Sequence, residues 1–385
     1  MAGQDPFSGD ILCKDGKIEQ IAAHVNLPDS AEAEVIDASG CLVLPGLIDA
    51  HCHVGITEEK KGIEGDDCNE NTEPVTPWLR ALDAINTMDA AFEAAVHAGI
   101  TSVMAGPGSS NVVGGQFAFL KTKGRRIDDL VLRAPAAMKI AFGENPKVNF
   151  SGMGKSPVTR MAIAGMLRRE LFEAKKYYEK RCGAGLEKEG HGSAEKDMPP
   201  EEADFDLEPW LPVFRHEIPL KAHVHRVDDI FTAIRIAKEF GLDMTLDHCS
   251  EGHLIADCIA ESGFPAIVGP DLSCRNKIEI QHVDFKTAGV LHRAGVLVAV
   301  CTDHPVSTIQ SLPLCAGLAV KEGLPALEGL RAITCNPAKI CRVFDRVGSL
   351  EVGKDADIAV FSDSPLKVEA RVRCTVINGK VAYRS

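Results

Sequence analysis

The chain has 385 residues, with 42 Lys+Arg against 55 Asp+Glu, a formal charge of −13. Such an acidic excess argues against a nucleic-acid binder, whose affinity comes from clustered cations that displace counterions. With 45% hydrophobic and 25% charged residues, and no run near the roughly 18 apolar residues of a membrane span, the composition excludes transmembrane and disordered classes.

At about 150 residues per domain the length allows two or three domains, although one α/β barrel could take most of it. No basic stretch followed by an apolar one opens the chain, so the expected compartment is cytoplasmic. The thirteen cysteines are scattered, odd in number and without a CxxC pair. They read as reduced, mostly buried thiols rather than a disulfide framework. Residues 1–8 match no periodic pattern and are left out of the fold reasoning.

From Gly9 to Leu44 the chain reads as short strands joined by turns. Asp15-Gly16 lies between two apolar runs, a strong hairpin signal because the turn needs residues that tolerate positive φ. The other end has the same texture: Gly348 to Asp357 leads into Ile358–Phe361, and Val372–Ile377 is followed by Asn378-Gly379 and Val381–Tyr383. The economical arrangement is one small β-sandwich built from residues 1–43 and 345–385, with a large domain of residues 44–344 inserted between them.

That large domain alternates short apolar runs with helical patterns, the signature of βα units around a parallel sheet. One helix is expected over Met88–Ala98, with Asn86 or Thr87 as N-cap and Met88, Ala91, Phe92, Ala95 and Val96 on the buried face. Eight strands follow in order: Leu44–Ala50, Thr101–Ala105, Gln116–Leu120, Ala136–Ala141, Leu220–Val224, Met244–Leu246, Ala266–Val268 and Val296–Cys301. Eight favours a (β/α)8 TIM barrel over an open sheet. Residues 183–212, rich in Gly, Pro and carboxylates, read as an exposed acidic insertion between the fourth helix and the fifth strand.

The strong polar signals fall at the C-terminal ends of these strands, where barrel enzymes assemble their sites. His51 and His53 alternate in Asp49-Ala-His-Cys-His53, which puts both imidazoles on one side about 7 Å apart along the backbone, able to converge on one cation. Lys221-Ala-His223-Val-His225 repeats the alternation at the fifth strand. Asp247-His248 ends the sixth and Thr302-Asp303 the eighth. His97, His191, His216, His282 and His292 lie off strand ends and read as structural. The glycine-rich run Gly106–Gln116 lets backbone approach a bound group, which makes Asn111 and Gln116 candidate substrate contacts. Arg226 and Arg275 could grip a substrate carboxylate.

On the run Pro45-Gly-Leu-Ile-Asp-Ala-His-Cys-His53 and the closing Gly348-Ser-Leu-Glu-Val-Gly-Lys-Asp-Ala-Asp-Ile358, the chain resembles the amidohydrolase superfamily. Within it the likeness is to the imidazolonepropionase-like and Xaa-Arg or Xaa-Pro dipeptidase-like group. The resemblance covers nearly everything from Asp10 onward. It implies a composite sandwich on a (β/α)8 barrel and a divalent metal, usually zinc, that activates a water. Carried over, His51, His53, His223, His248 and Asp303 are the metal ligands, and Asp303 is also the catalytic base. His225 is a substrate contact or an alternative ligand. Binuclear relatives use a carboxylated Lys as a bridge; Lys139 on the fourth strand suits this, since burial disfavours its charged form, and Glu144 could instead offer an oxygen. One or two ions are therefore expected.

The implied activity is hydrolysis of a C–N bond in a small amide, cyclic amide or dipeptide-like substrate, with no nucleic acid or membrane partner and with room for a homo-oligomer. Deamination is disfavoured, because deaminases of this superfamily carry His-x-x-Glu at the fifth strand and here Arg226 follows His223. A non-catalytic assembly protein on the same scaffold is the alternative of another class, and retention of every ligand position weighs against it.

Overall fold

The computed structural model describes residues 6–27, 32–59, 62–183 and 203–385. Strands β1 (Asp10–Lys14) and β2 (Lys17–Ala22) form a hairpin. Its turn residues Asp15 and Gly16 both have positive φ, 49° and 78°, as a two-residue type I′ turn requires. After β3 (Leu42–Pro45), the barrel strands are β4 (Leu47–Cys52), β5 (Ile100–Ala105), β6 (Val113–Lys121), β7 (Val131–Ala141), β8 (Leu220–Val224), β9 (Met244–His248), β10 (Ala266–Val268) and β11 (Val298–Val300). The chain closes with β12 (Ile358–Phe361), β13 (Val372–Ile377) and β14 (Lys380–Arg384). Asn378-Gly379, again with positive φ, turns β13 into β14.

Eight strands lie side by side in the order β4 to β11, and backbone bonds from Asp303 N–H to His51 C=O (3.1 Å) and from His53 N–H to His304 C=O (2.8 Å) link the two edge strands at the mouth. The fold is an α/β barrel accompanied by a small β-sandwich from both termini. One strand departs from the all-parallel pattern: β6 runs antiparallel to both β5 and β7. The link from β5 to β6 spans only residues 106–112, too few for the crossover that parallel strands need, whereas an antiparallel neighbour can be reached by a short turn.

The first expected strand, Leu44–Ala50, is divided at Gly46. Its start, β3, pairs with β12 in a second sheet ordered β14-β13-β12-β3, and the rest enters the barrel as β4. A Cβ on Gly46 would lie 2.1 Å from Thr101 Oγ1, so only glycine lets the chain pass there. The terminal layer has its own core, where Ile358, Val360, Cys374 and Val376 meet Ile11, Cys13, Ile36 and Val43.

Helices cover the barrel. The segment Val227–Phe240 buries Ile230, Ala233, Ile234 and Ala237 at helical spacing and stops at Gly241, whose left-handed φ of 67° suits the helix end. The expected helix over Met88–Ala98 begins later, at Ala90, with Asp89 in the N-cap position. Asn86 instead accepts the Met88 N–H in a local turn (3.0 Å), and Met88 is 73% exposed.

Within the expected acidic insertion, residues 184–202, and with them His191, lie outside the described residues. Its last part is a correction. Glu208–Trp210 and Leu211–Phe214 are helical, and Trp210 is fully buried with its Nε1 donating to Glu170 at 2.9 Å. The apolar run Trp-Leu-Pro-Val-Phe outweighs the carboxylates before it and packs into the barrel core. Among the described residues no helix is long and apolar enough to cross a membrane.

Candidate active site

Strand alternation brings Asp49, His51 and His53 to one side of β4, and Lys221, His223 and His225 to one side of β8. All six are buried. Alternation alone would send His248 away from its neighbour Asp247. His248 instead has a left-handed φ of 68°, and both side chains reach the site: Asp247 Oδ2 lies 2.9 Å from His51 Nδ1, and the His248 ring stands 4.9 Å from that of His51. Asp303 has the same backbone conformation, φ 51°. Thr302 donates its hydroxyl (2.5 Å) and its N–H (3.1 Å) to Asp49, while Asp303 Oδ1 sits 3.3 Å from His51 Nε2 and 3.1 Å from His53 Nε2. Non-glycine residues in this region of φ/ψ space are strained, and such strain concentrates where the surrounding structure holds functional groups.

The hydrogen bonds around each imidazole assign its protons. His53 Nδ1 is 2.7 Å from the Gly106 carbonyl and His248 Nδ1 is 2.7 Å from the Gly269 carbonyl. A carbonyl oxygen can only accept, so each Nδ1 carries a hydrogen and each Nε2 is left to meet a proton or a cation. His51 Nδ1 stands 2.9 Å from Asp247 Oδ2, close enough for an ion pair but without hydrogen-bond geometry, and Asp247 itself receives Lys221 (3.3 Å) and Thr245 (2.9 Å). The Nε2 atoms of His51 and His53 both face a carboxylate oxygen, an arrangement that calls for positive charge, whether a proton or a metal cation. His248 Nε2, His223 Nδ1 and Asp303 Oδ1 are buried with no hydrogen-bond partner.

The ionisation of these groups follows. Burial raises Asp303, but contact with His51 and His53 outweighs it and holds the carboxyl well below the usual range. Burial lowers His53, yet Cys68 and Asp303 push it up to about 10. Burial together with nearby cations drives His51 and His248 well down, and His223 likewise; His225 falls to about 4, chiefly by burial. Lys139, fully buried with Nζ 3.5 Å from His51 Nε2, is lowered by burial to about 8.

Among the described residues two groups could hold a metal ion. His51, His248 and Asp303 form one, His223, His225 and His248 the other, with ligand atoms in each within 4.8 Å of one another. His248 belongs to both. Neutral imidazoles with fixed tautomers, together with an ionised carboxylate, are a donor set suited to zinc and similar divalent ions.

Four expected substrate contacts are placed elsewhere. Asn111 donates to the carbonyls of Glu70 (2.6 Å) and Glu73 (2.5 Å), and Gln116 donates to that of Pro77 (3.2 Å). Their amide hydrogens hold the 70–77 loop rather than a ligand. Arg226 forms a bidentate pair with Asp228 two residues on (2.9 and 3.1 Å), and Arg275, exposed, donates to the Val283 carbonyl (2.8 Å). Glu144 contributes its backbone N–H, which donates to Glu279 at 2.8 Å.

Sequence reasoning missed Asp49, Asp247 and Lys221 as orienting groups, although alternation with the nearby histidines marks Asp49 and Lys221. It also missed Glu279, Lys277 and Asn145. These come from loops and a helix start, where no strand period points inward.

A family model described as the amidohydrolase family matches residues 213–382. The chain is 39% identical to an amidohydrolase from Thermotoga maritima MSB8, whose crystal structure superposes with a TM-score of 0.92 over 99% of this chain and 97% of that one. It is 28% identical to the amidohydrolase tasK of Hapsidospora irregularis over 97% of its own length, and spans 40% of that relative. With an imidazolonepropionase of Brevibacillus brevis it shares 27% identity over 92% of this chain and 83% of the relative.

Proposed function

Since the chain belongs to the amidohydrolase family, as its near full-length likeness to the Thermotoga maritima protein establishes, we propose that it hydrolyses a C–N bond in a small amide, cyclic amide or dipeptide-like substrate with Asp303 as general base. The enzyme is a hydrolase of carbon–nitrogen bonds; the reading of its substrate and base rests on the site. The observation that carries it is the convergence of His51 Nε2 and His53 Nε2 on Asp303 Oδ1, at 3.3 and 3.1 Å.

His51, His53 and Asp303 would hold one divalent cation, and His223 and His248 a second, with Lys139 as a carboxylated bridge between them. A cation bound there supplies Lewis acidity that makes water acidic near neutral pH and polarises a substrate carbonyl. Asp303, ionised and partly exposed at the mouth, accepts the proton of the attacking water and returns it to the leaving nitrogen. Asp247 and Lys221 keep His51 in one orientation, and the carbonyls of Gly106 and Gly269 do the same for His53 and His248. The left-handed backbone at Asp303 aims its carboxylate across the mouth rather than along the strand.

The test is metal removal and restoration. Protein stripped with a chelator is expected to lose hydrolysis of every amide it cleaves from a panel of dipeptides, N-acyl amino acids, lactams and cyclic ureides, and to regain it with zinc. Equal turnover with and without metal would overturn the reading.

A further inference from the structure

Glu279, in the one-turn 3-10 helix Ile278–Ile280 that follows β10, is 1% exposed, and it belongs to neither candidate metal group. Its Oε2 accepts the Glu144 N–H at 2.8 Å. Gly143, at φ 83°, makes room for that oxygen, since a Cβ there would come within 2.7 Å of it. The other oxygen, Oε1, has no hydrogen-bond partner and points between two imidazoles, 3.9 Å from both His223 Nε2 and His225 Nε2. Lys277 Nζ lies 3.8 Å from it, beyond hydrogen-bond reach, and donates instead to the Asn145 side chain. A buried carboxylate fixed by one oxygen and unpartnered at the other costs stability unless a ligand completes it.

We infer that Glu279 anchors a protonated amine of the substrate, so that the preferred substrates are α-aminoacyl amides, dipeptides with a free amino terminus among them. The inference rests on the hydrolytic reading of the site and narrows its substrate class. In an aminoacyl group the amine nitrogen lies about 2.5 Å from the carbonyl carbon, two covalent bonds away. His223 and His248 share a cluster within 4.8 Å, and His248 shares the other with Asp303. An amine held at Glu279 Oε1 stands beside the His223, His225 and His248 group, and the adjoining carbonyl then extends toward the His248 that links this group to Asp303. A protonated amine is the natural partner of a carboxylate and makes its shorter, stronger hydrogen bonds, whereas an N-acyl group offers a single neutral N–H and added bulk.

The experiment compares a dipeptide panel with the same panel N-acetylated, on zinc-loaded wild-type protein and on Glu279→Gln, which preserves shape and the acceptor for Glu144. Wild type is expected to favour the free amines. In Glu279→Gln, kcat/KM on free amines should fall about 10- to 100-fold, with acetylated peptides within about 2-fold and zinc content unchanged. The inference is overturned if wild type prefers the acetylated panel, if the variant treats free amines as wild type does, or if both panels fall together with loss of zinc, which would make Glu279 a metal ligand. The wild-type comparison stands whether or not the variant folds. If neither panel is cleaved, the hydrolytic reading of these amides fails separately. Saturation-transfer NMR of the free-amine panel then decides the anchor: binding weakened in Glu279→Gln sustains it, and absent or unchanged binding ends it.

Discussion

The two ends of the barrel gather buried charge in opposite ways. At the C-terminal mouth, His51, His53, His223, His248, Asp303 and Glu279 converge, and several of their polar atoms have no hydrogen-bond partner. At the other end, Lys121 leaves β6 to meet Asp355 (2.9 Å) and Asp357, while Asp355 also receives Lys17 (2.6 Å) and both forks of Arg346 (3.0 Å each). Burial raises Asp355, but these partners outweigh it and hold the carboxyl down to about 2; Asp357, with fewer donors, is raised by burial. Both ends descend from the motifs that mark the family: the Asp-Ala-His-Cys-His run supplies the mouth and the Gly-Lys-Asp-Ala-Asp run the base. A charge cluster satisfied by its own chain fastens the terminal layer to the barrel.

Four changes break or sharpen that contrast. Asp303→Asn has the largest expected effect, a loss of about 10²–10⁴ in kcat/KM for any cleaved amide, since it removes the proton acceptor while leaving the fold at the base intact. Retention of wild-type rates would end its assignment as base.

Asp355→Asn moves the cost to stability. Removing the shared acid leaves Lys121 with Asp357 alone and releases the half-exposed Lys17 and Arg346, and denaturant titration should show a loss of about 1–3 kcal/mol, with normal turnover by the molecules still folded. The pH dependence follows from the sign. The folded value of about 2 lies below the ordinary 3.8, so Asp355 contributes stability that is fully present above about pH 4 and is lost as pH falls toward 2. The variant should therefore show a shallower acid limb than wild type.

Asp247→Asn removes the acid beside His51 together with the ion-pair partner of buried Lys221. It should weaken zinc binding or activity about 10- to 100-fold, read by competition with a chromogenic chelator, and cost some stability as well. Arg226→Ala should do least, because its partner is Asp228 rather than a ligand: kcat/KM within about 2-fold and stability within about 0.5 kcal/mol. A large rise in KM would restore Arg226 as a substrate contact.

Much of the site was legible because strand geometry turns spacing into direction. His51 with His53, and His223 with His225, lie on one side by period alone, and the observed strands fall within a few residues of those expected. Asn111 and Gln116 show what spacing leaves out. A glycine-rich loop beside a site signals close packing, and the group that packs there is the protein's own 70–77 loop. Arg226 pairs with the acid two residues away, a pairing that a lone cation in the sequence does not mark.

The local code of the chain settled which segments are strands, where Asp15-Gly16 and Asn378-Gly379 turn, and which histidines share a face, because these depend on neighbours a few residues apart. Only the tertiary structure decided that β6 runs backwards, that Trp210 is drawn into the core, and that left-handed backbone at His248 and Asp303 overrides alternation to aim both side chains inward. It alone brought Glu279 to 3.9 Å from His223 and His225, over a sequence separation of more than fifty residues. Such placements follow from packing and from burial of charge across the whole barrel, which no window of sequence contains.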